Sequence, residues 1–210
     1  MKLAVFGTGT VGQTLGAAFA GLGHEVVLGT RDPEATAARE GWRSELALEA
    51  YADAAAGAGL VVVAVSGGGA LDALAAGGDL AGKVILDVSN PLDFSGGFPP
   101  TLSVSNTDSV AEQLQRAHPE ARVVKSLNTV NAGLMVAPGS LADGDHTIFV
   151  AGDDAEARAL VRELLQGLGW ADIVEFEALD AARGLEMWLP LWVRLMQNLG
   201  HANFNLKLVR

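Results

Sequence analysis

A glycine-rich run near the start of the chain, GTGTVG, has the residue types and spacing of a loop that binds a dinucleotide pyrophosphate. Gly7 permits a tight turn, Gly9 lets the backbone approach a phosphate, and Gly12 lets the next helix pack closely on the first strand. Helix amides from about Thr10 onward then present unpaired N–H groups and the positive end of the helix dipole. The expected pyrophosphate contacts are Gly7, Thr8, Gly9, Thr10, Val11 and Gly12.

The elements around this loop must position it. Lys2–Phe6 is almost wholly apolar, as expected of a parallel strand buried on both faces. An apolar helical run follows the loop to about Gly23, and a second apolar strand covers Glu25–Leu28. This order of strand, GxGxxG, helix and strand indicates a dinucleotide-binding βαβ unit. The alternative is a glycine-rich turn in another α/β fold.

The residues after the second strand indicate which dinucleotide is preferred. An NAD site usually carries Asp or Glu there, whereas an NADP site carries neutral and basic groups. Here Thr30 can hydrogen-bond a 2′-phosphate and Arg31 can fork onto it. Asp32 would repel that phosphate, but Asp32-Pro33 has the pattern of a helix N-cap followed by proline at the first helical position. We therefore expect NADP(H), with a solvated loop arginine as the alternative for Arg31.

Three further apolar strands are expected at Leu60–Val65, Lys83–Val88 and Ala121–Lys125. Ligands of parallel sheets lie beyond the carboxyl ends of the strands, so these ends should face the same crevice as the glycine loop. They offer amides, hydroxyls and the Lys125 ammonium, and ordinary turns are the alternative for any single residue. The expected further contacts with the coenzyme are Val65, Ser66, Asn90, Pro91 and Asn128.

Strands and helices alternate along the chain, which predicts an α/β fold built on a Rossmann-type doubly wound parallel sheet. The alanine-rich segment Leu46–Ala56 is expected to be helical, and residues 93–105, rich in Gly, Pro and Ser, to form an irregular loop. A long apolar helix over Leu179–Leu199 should kink or break at Pro190.

The chain should divide unequally. We expect a dinucleotide-binding domain over residues 1–145 and a small C-terminal α/β extension over residues 146–210 that packs on it. Trp188 and Trp192 recur in this extension at helical spacing with Leu195 and Leu199. Such a stripe is usually core, and the alternative at this end of a small chain is the interface of a homodimer.

The composition limits the classes of partner. A formal net charge of −11 argues against nucleic acid and against an anionic membrane surface. The absence of cysteine excludes disulfides and cysteine-ligated metal, and it fits a cytoplasmic protein. No apolar run approaches the roughly 18 residues of a membrane span. We expect a cytoplasmic protein that uses a small-molecule acceptor, without nucleic acid, membrane or metal.

Groups for acid–base catalysis are scarce at the expected crevice. The only tyrosine, Tyr51, lacks a lysine four positions later, so the catalytic pair of short-chain reductases is absent. No histidine follows an expected strand at its carboxyl end. Such a groove suits hydride transfer to a flat conjugated ring, where the protein need only hold two rings face to face. The residues expected to position the nicotinamide and the acceptor are Ser66, Asn90 and Asn128.

Several segments match a known family. They are GTGTVGQTLGAAFAGLGHEVVLGTRDP, VVVAVSGGG, ILDVSNPL, VVKSLNTVNAGLM, HTIFVAGDDAEARALVRELLQGLGW and LEMWLPLWVRLMQNLG. Together they resemble the NADP oxidoreductases that depend on the deazaflavin coenzyme F420, over nearly the whole chain. The cytosolic domain of the six-transmembrane metalloreductases, which passes electrons through flavin to iron, is similar too.

The resemblance implies NADPH held by the glycine loop, with Thr30 and Arg31 on its 2′-phosphate, in a protein that is usually dimeric. Where these enzymes often carry a second basic residue this chain has Asp32, and Val65-Ser66 stands where Val-Pro is common. We expect an NADP(H)-dependent oxidoreductase that exchanges hydride with a deazaflavin (F420) or a flavin (FMN or FAD). The alternatives are a non-catalytic NADP(H)-sensing module and an NADPH-dependent flavin or ferric reductase.

Overall fold

The computed structural model describes residues 1–42 and 44–210. The strands are β1 (Lys2–Phe6), β2 (Glu25–Thr30), β3 (Ala47–Ala50), β4 (Leu60–Val63), β5 (Val84–Asp87), β6 (Leu92–Asp93), β7 (Thr101–Leu102), β8 (Arg122–Ser126), β9 (Thr147–Gly152) and β10 (Asp172–Phe176). The helices are α1 (Thr10–Gly21), α2 (Pro33–Ala37), α3 (Tyr51–Ala55), α4 (Gly67–Ala75), α5 (Val110–Ala117), α6 (Ala132–Val136), α7 (Ala155–Gly167), α8 (Ala182–Met187) and α9 (Leu189–Leu199).

Eight strands form one sheet in the order β10-β9-β8-β5-β4-β1-β2-β3. Six neighbouring strands of this sheet pair in parallel, in the order β8-β5-β4-β1-β2-β3. This is the strand order of a dinucleotide-binding doubly wound fold. The predicted Rossmann-type α/β class is therefore confirmed. Strand β9 pairs antiparallel with β8 and parallel with β10, so the sheet is mostly rather than wholly parallel. The chain order reverses between β1 and β4, and a crevice opens at that point.

Strand β1 shows why the sequence of a central strand is apolar at successive positions. Leu3 and Val5 belong to the hydrophobic cluster on one face of the sheet, and Ala4 and Phe6 belong to the cluster on the other. All four side chains are fully buried. Because helices cover both faces of the sheet, neither side of this strand can be polar.

Two segments differ from the sequence-based prediction. The helix predicted over Leu46–Ala56 is wrong at its start, since Ala47–Ala50 forms edge strand β3 on β2 and only Tyr51–Ala55 is helical. Alanine, leucine and glutamate favour a helix, but the unpaired edge of β2 offers backbone partners that override this weak preference. The loop predicted over residues 93–105 is also partly wrong, because β6 and β7 pair as a short antiparallel ladder.

The predicted break near Pro190 is confirmed. Helix α8 ends at Met187 and α9 begins at Leu189, which places the proline in the first turn of the second helix. A proline in the first turn costs no helical hydrogen bond, because the amide there has no partner within the helix. Within residues 1–42 and 44–210, no helix combines the length and apolar character that a bilayer span requires.

Candidate functional site

The glycine loop between β1 and α1 is shaped by contacts that leave no room for side chains at two of its glycines. Gly7 has φ +129°, and a Cβ there would overlap the carbonyl of Ala64 at the end of β4. A Cβ at Gly12 would overlap the carbonyl of Gly7, so α1 packs directly on the turn. Around Gly9, by contrast, a Cβ would meet no described atom within 4 Å. This pattern fits the roles predicted for the three glycines.

The first turn of α1 is available to an anion. Gly9 precedes the helix and has no side chain to cap it, and the first bond of the helical ladder runs from the Gln13 amide to the Gly9 carbonyl at 3.0 Å. The amides of Thr10, Val11 and Gly12 precede that bond. These N–H groups and the positive end of the helix dipole form an arrangement that suits a phosphate.

Two cavities flank the glycine loop. One, of about 320 Å³, lies at the end of β2 and is called here the β2 pocket; its wall includes Gly7, Thr8, Thr30, Arg31, Asp32, Arg39, Tyr51 and Val65. The other, of about 540 Å³, is called the β4–β5 crevice; its wall includes Gly9, Thr10, Val11, Val65, Ser66, Ser89, Asn90, Leu92 and Phe94. Val65 lines both cavities, so they adjoin along the groove that the glycine loop borders.

The β2 pocket holds the predicted Thr30 and Arg31. The Thr30 hydroxyl is buried and hydrogen-bonded to the Thr36 hydroxyl at 2.9 Å, whereas Arg31 is exposed. Asp32 accepts a hydrogen bond from the Ala35 amide at 2.9 Å and caps α2, with Pro33 in the first turn. The predicted alternative occupation of this carboxylate is therefore confirmed. Its charge is directed toward the helix terminus, where the helix dipole favours it.

A residue that the sequence reasoning missed, Arg39, also lies in the β2 pocket. Its Nη2 donates to the Thr8 hydroxyl at 2.8 Å, and its Nε donates to the Thr36 carbonyl at 3.3 Å. The guanidinium lies 5.2 Å from the ring centre of Trp42, within cation–π range. The signal available in the sequence was only a basic residue shortly after a short helix. Arg39 lies near the end of β2 only because the chain folds back toward that strand after α2.

Tyr51 closes the inner side of the β2 pocket. Its ring packs on Phe6 with the ring centres 4.6 Å apart, and the side chain is 7% exposed. Burial raises the pKa of the Tyr51 phenol, and the positive charge of Arg31 opposes this increase. The tyrosine therefore stays neutral at physiological pH and contributes an apolar ring beside two guanidinium groups.

The β4–β5 crevice has a different character. Its described lining contains the predicted Val65, Ser66 and Asn90 together with apolar side chains such as Leu92 and Phe94. No titratable side chain is part of that described lining. The arrangement can hold flat rings between apolar walls and orient them by amide and hydroxyl groups, but its walls supply no acid or base.

Asn90 and Asn128 bridge two strand ends. Asn90 Nδ2 donates to the Asn128 carbonyl and Asn128 Nδ2 donates to Asn90 Oδ1, both at 2.9 Å, while Asn128 Nδ2 also donates to the Leu185 carbonyl at 3.0 Å. The preceding residue, Leu127, adopts a left-handed φ of 61° without being glycine. A non-glycine residue in such a conformation costs about 1–3 kcal/mol, and the surrounding structure must hold it. Asn128 is thus a rigid support of Asn90.

Three of the predicted site residues line neither cavity. Gly12 packs beneath the glycine loop, Pro91 is buried beside the start of α4, and Asn128 lies behind Asn90. These three residues support the groove from behind. Direct contact with the coenzyme therefore stays a prediction only for the other predicted residues, which line the two cavities.

Ser89 follows β5 at a strand end that was expected to face the crevice, although it is not among the predicted coenzyme contacts. It lines the β4–β5 crevice and is 4% exposed, and its hydroxyl has no hydrogen-bond partner among residues 1–42 and 44–210. A buried hydroxyl without a partner costs free energy in the folded state. An unsatisfied polar atom on the wall of a cavity is available for a ligand.

The expectation that Lys125 faces the crevice is wrong. Its ammonium is fully buried and donates to Asp87 Oδ2 and Glu186 Oε1, both at 2.8 Å, and to the Ser89 carbonyl at 2.6 Å. Glu186 also accepts from the Val110 amide at the start of α5 at 2.9 Å. The lysine therefore holds strands β5 and β8 to α8 and fixes the Ser89 backbone.

The charges of this buried cluster are mutually dependent. Burial lowers the pKa of Lys125, but the Asp87 and Glu186 carboxylates outweigh burial and hold that pKa above its ordinary value. Burial raises the pKa of the Glu186 carboxyl, and Lys125 opposes this only in part. The two carboxylates therefore favour the charged form of Lys125.

Comparison with known proteins agrees with the geometry. The family model described as "NADP oxidoreductase coenzyme F420-dependent" matches residues 2–91. An F420-dependent NADP reductase of Methanothermobacter thermautotrophicus is 30% identical over 208 residues, covering 93% of this chain and 89% of that protein. The metalloreductase STEAP3 of Rattus norvegicus is 29% identical over 197 residues, 91% of this chain, and this chain spans only 38% of its length.

A solved structure is similar over the full length. It is the crystal structure of a protein from Arthrobacter sp. FB24, provisionally described as an F420-dependent NADP reductase. The two chains are 55% identical, each is covered completely, and the TM-score is 0.97. The similarity therefore includes the C-terminal helices α8 and α9 as well as the glycine loop.

Proposed function

This chain belongs to the family of F420-dependent NADP oxidoreductases, and on that premise we propose that it transfers hydride between NADPH and a deazaflavin or flavin ring. The family is one of oxidoreductases, and NADP is its coenzyme. The acceptor and the direction of transfer are the parts that we propose.

The observation that carries this proposal is the pairing of two unlike cavities along one groove. The β2 pocket presents the guanidinium groups of Arg31 and Arg39, while the β4–β5 crevice presents apolar and amide groups, and Val65 borders both. Gly9, where a Cβ would meet no described atom within 4 Å, lies on the wall of the β4–β5 crevice. A dinucleotide with a phosphorylated adenosine at one end and a nicotinamide at the other matches this order of charge and polarity.

The residues present fit the coenzyme. Thr30 and Arg31 would hold the 2′-phosphate, the loop from Gly7 to Gly12 would hold the pyrophosphate, and Ser66 and Asn90 would orient the nicotinamide. When bound, NADPH supplies a hydride from its nicotinamide ring. The protein contributes by holding the two rings at near-attack distance and by excluding water with apolar walls.

The crevice favours a flat conjugated acceptor over a simple ketone. Reduction of a ketone needs a proton donor beside the developing alkoxide, and the described crevice wall has no titratable side chain. A deazaflavin or flavin ring delocalises the charge that it receives, so water can supply the proton. Leu92 and Phe94 offer the apolar surface on which such a ring would stack.

We further propose that the protein acts as a cytoplasmic homodimer in which residues 146–210 form an extension that packs on the Rossmann domain. The supporting observations are Glu186, which reaches the buried cluster, and the Leu185 carbonyl, which binds Asn128. On the outer side, Met187, Leu191 and Leu199 are exposed on α8 and α9, an apolar surface that a second copy would cover.

Stopped-flow mixing tests the proposed reaction. Protein loaded with NADPH is mixed with F420, FMN, FAD or ferric citrate, and NADPH absorbance is followed. We expect rapid single-turnover oxidation with F420 or a free flavin. Tight binding of NADPH without oxidation by any acceptor would contradict the proposal and favour the sensing module. Oxidation only when FAD and ferric citrate are both present would favour the ferric reductase.

A further inference from the structure

We propose that Arg39 is a second guanidinium for the 2′-phosphate and is a determinant of specificity for NADP(H) over NAD(H). The inference rests on the proposed function, since it concerns the same coenzyme site. It names a residue that neither the glycine-rich pattern nor the Thr30-Arg31 pair indicates.

The position of Arg39 is the first observation. Its guanidinium lines the β2 pocket with Arg31 and Thr30, the residues predicted to meet the 2′-phosphate. Arg31 follows β2 directly, whereas Arg39 reaches the pocket from beyond α2. The two cations therefore enter one cavity of about 320 Å³ from different parts of the chain.

The donors of Arg39 are the second observation. Its bonds to Thr8 and Thr36 use the Nε and Nη2 atoms, and a guanidinium carries five N–H donors in total. The two N–H groups of Nη1 take no part in these bonds. They are the donors that a phosphate oxygen would engage, and guanidinium groups are well suited to phosphate geometry.

The charge balance of the pocket is the third observation. A phosphate monoester carries between one and two negative charges near neutral pH. Asp32 is the carboxylate on the described wall of the β2 pocket, and it is directed into the N-terminus of α2. Arg31 alone would balance about half of the phosphate charge in a chain whose net charge is −11. Arg39 supplies the remainder.

Arg39 is also held in place before a ligand arrives. The Thr8 hydroxyl, the Thr36 carbonyl and the Trp42 ring each fix part of the guanidinium. A side chain that is already ordered loses little conformational entropy on binding. Since Thr8 lies between Gly7 and Gly9, the bond from Arg39 to Thr8 links the β2 pocket to the glycine loop.

The test measures dissociation constants of NADPH and NADH for the wild type, Arg39→Ala and Arg39→Gln by calorimetry. Glutamine keeps a donor for Thr8 but removes the charge, so it separates the two roles if the alanine variant fails to fold. Arg162→Ala, which removes an exposed arginine on α7 outside the pocket, is the control for net charge. We expect both Arg39 variants to weaken NADPH roughly ten- to a hundredfold relative to NADH.

Equal weakening of the two coenzymes would show that Arg39 only braces Thr8, and it would overturn the inference. An unchanged NADPH-to-NADH ratio in Arg39→Gln would do the same. Failure of the proposed hydride transfer is seen separately, as NADPH that binds the wild type but reduces no acceptor. In that case the coenzyme ratio of the Arg39 variants still decides for or against this residue.

Discussion

The two ends of the groove use charge in opposite ways. In the β2 pocket Arg31 and Arg39 are exposed and line the wall of the cavity. Behind the β4–β5 crevice the charges of Lys125, Asp87 and Glu186 are buried and satisfy one another. Charge at the first end is therefore accessible to a ligand, whereas charge at the second end is used within the protein to hold the wall in place.

This contrast also explains why the donor is easier to infer than the acceptor. A phosphate demands cations and free amides, and these leave a clear trace in the residue types. A flat ring demands an apolar slot of the right width, and many side chains can build one. The family membership agrees with this division, since it identifies the coenzyme more firmly than the partner that exchanges hydride with it.

The largest expected effect is that of Lys125→Met on stability. Removal of the ammonium leaves Asp87 and Glu186 buried without their cation, and loss of one partner of a buried ion pair costs about 3–5 kcal/mol. We expect the free energy of unfolding, measured with urea, to fall by that amount. Adding Glu186→Gln to this variant should recover part of the loss, because it removes one uncompensated charge.

Lys83→Met is the matched control, since Lys83 Nζ donates to the Ala58 carbonyl and forms no ion pair within residues 1–42 and 44–210. It should cost far less than Lys125→Met. Equal losses of unfolding free energy in the two variants would show that the buried ion pairs add no more stability than a single hydrogen bond. The proposed structural role of the buried charges would then be wrong.

The next effect in size is that of Arg31→Ala on binding. Loss of a charge-assisted hydrogen bond to the 2′-phosphate should weaken NADPH by about 1.5–3 kcal/mol while NADH changes little. Because Arg31 is exposed, the free energy of unfolding should stay within about 0.5 kcal/mol of the wild type. Calorimetry with both coenzymes and a urea titration measure the two quantities. Similar losses of binding free energy for NADH and NADPH would contradict the proposal that the β2 pocket binds the 2′-phosphate.

The smallest expected effect is that of Ser89→Ala at the other end of the groove. The substitution removes a buried hydroxyl without a described partner, so the ligand-free protein should keep its stability or gain up to about 1 kcal/mol. If the hydroxyl bonds the nicotinamide end, NADPH and NADH should both weaken by about 0.5–1.5 kcal/mol.

Ser140→Ala is the control for this variant, since the Ser140 hydroxyl donates to the Ala137 carbonyl on an exposed turn. It should change neither coenzyme. A selective loss of NADPH in Ser89→Ala would contradict the assignment of the two ends, because the crevice would then be sensing the 2′-phosphate.

Some parts of the site could be predicted because their signals are local. The GxGxxG spacing, the apolar strand before it and the Asp32-Pro33 cap each lie within a few residues, and each follows from backbone rules. The end of α8 before Pro190 is of the same kind. Edge strand β3 was missed because its composition favours a helix and only the neighbouring strand makes it extended.

Other parts depend on contacts between distant residues. Arg39 meets Thr8 across 31 positions, and Lys125 meets Asp87 across 38 and Glu186 across 61. No periodicity or short motif records such pairings. Lys125 in particular follows an apolar strand like a residue of the crevice, and only its partners show that it points into the core.

Local sequence patterns were enough to identify the dinucleotide-binding unit and the alternation that produces a doubly wound sheet, and they predict a preference for a phosphorylated adenosine. These features follow from steric freedom, hydrophobic burial and charge at neighbouring positions. Only the tertiary structure decided that Arg39 joins Arg31, that Lys125 is buried and that the Ser89 hydroxyl lies unpaired on the wall. The physical reason is that the direction and surroundings of a side chain depend on how the sheet brings remote strand ends together.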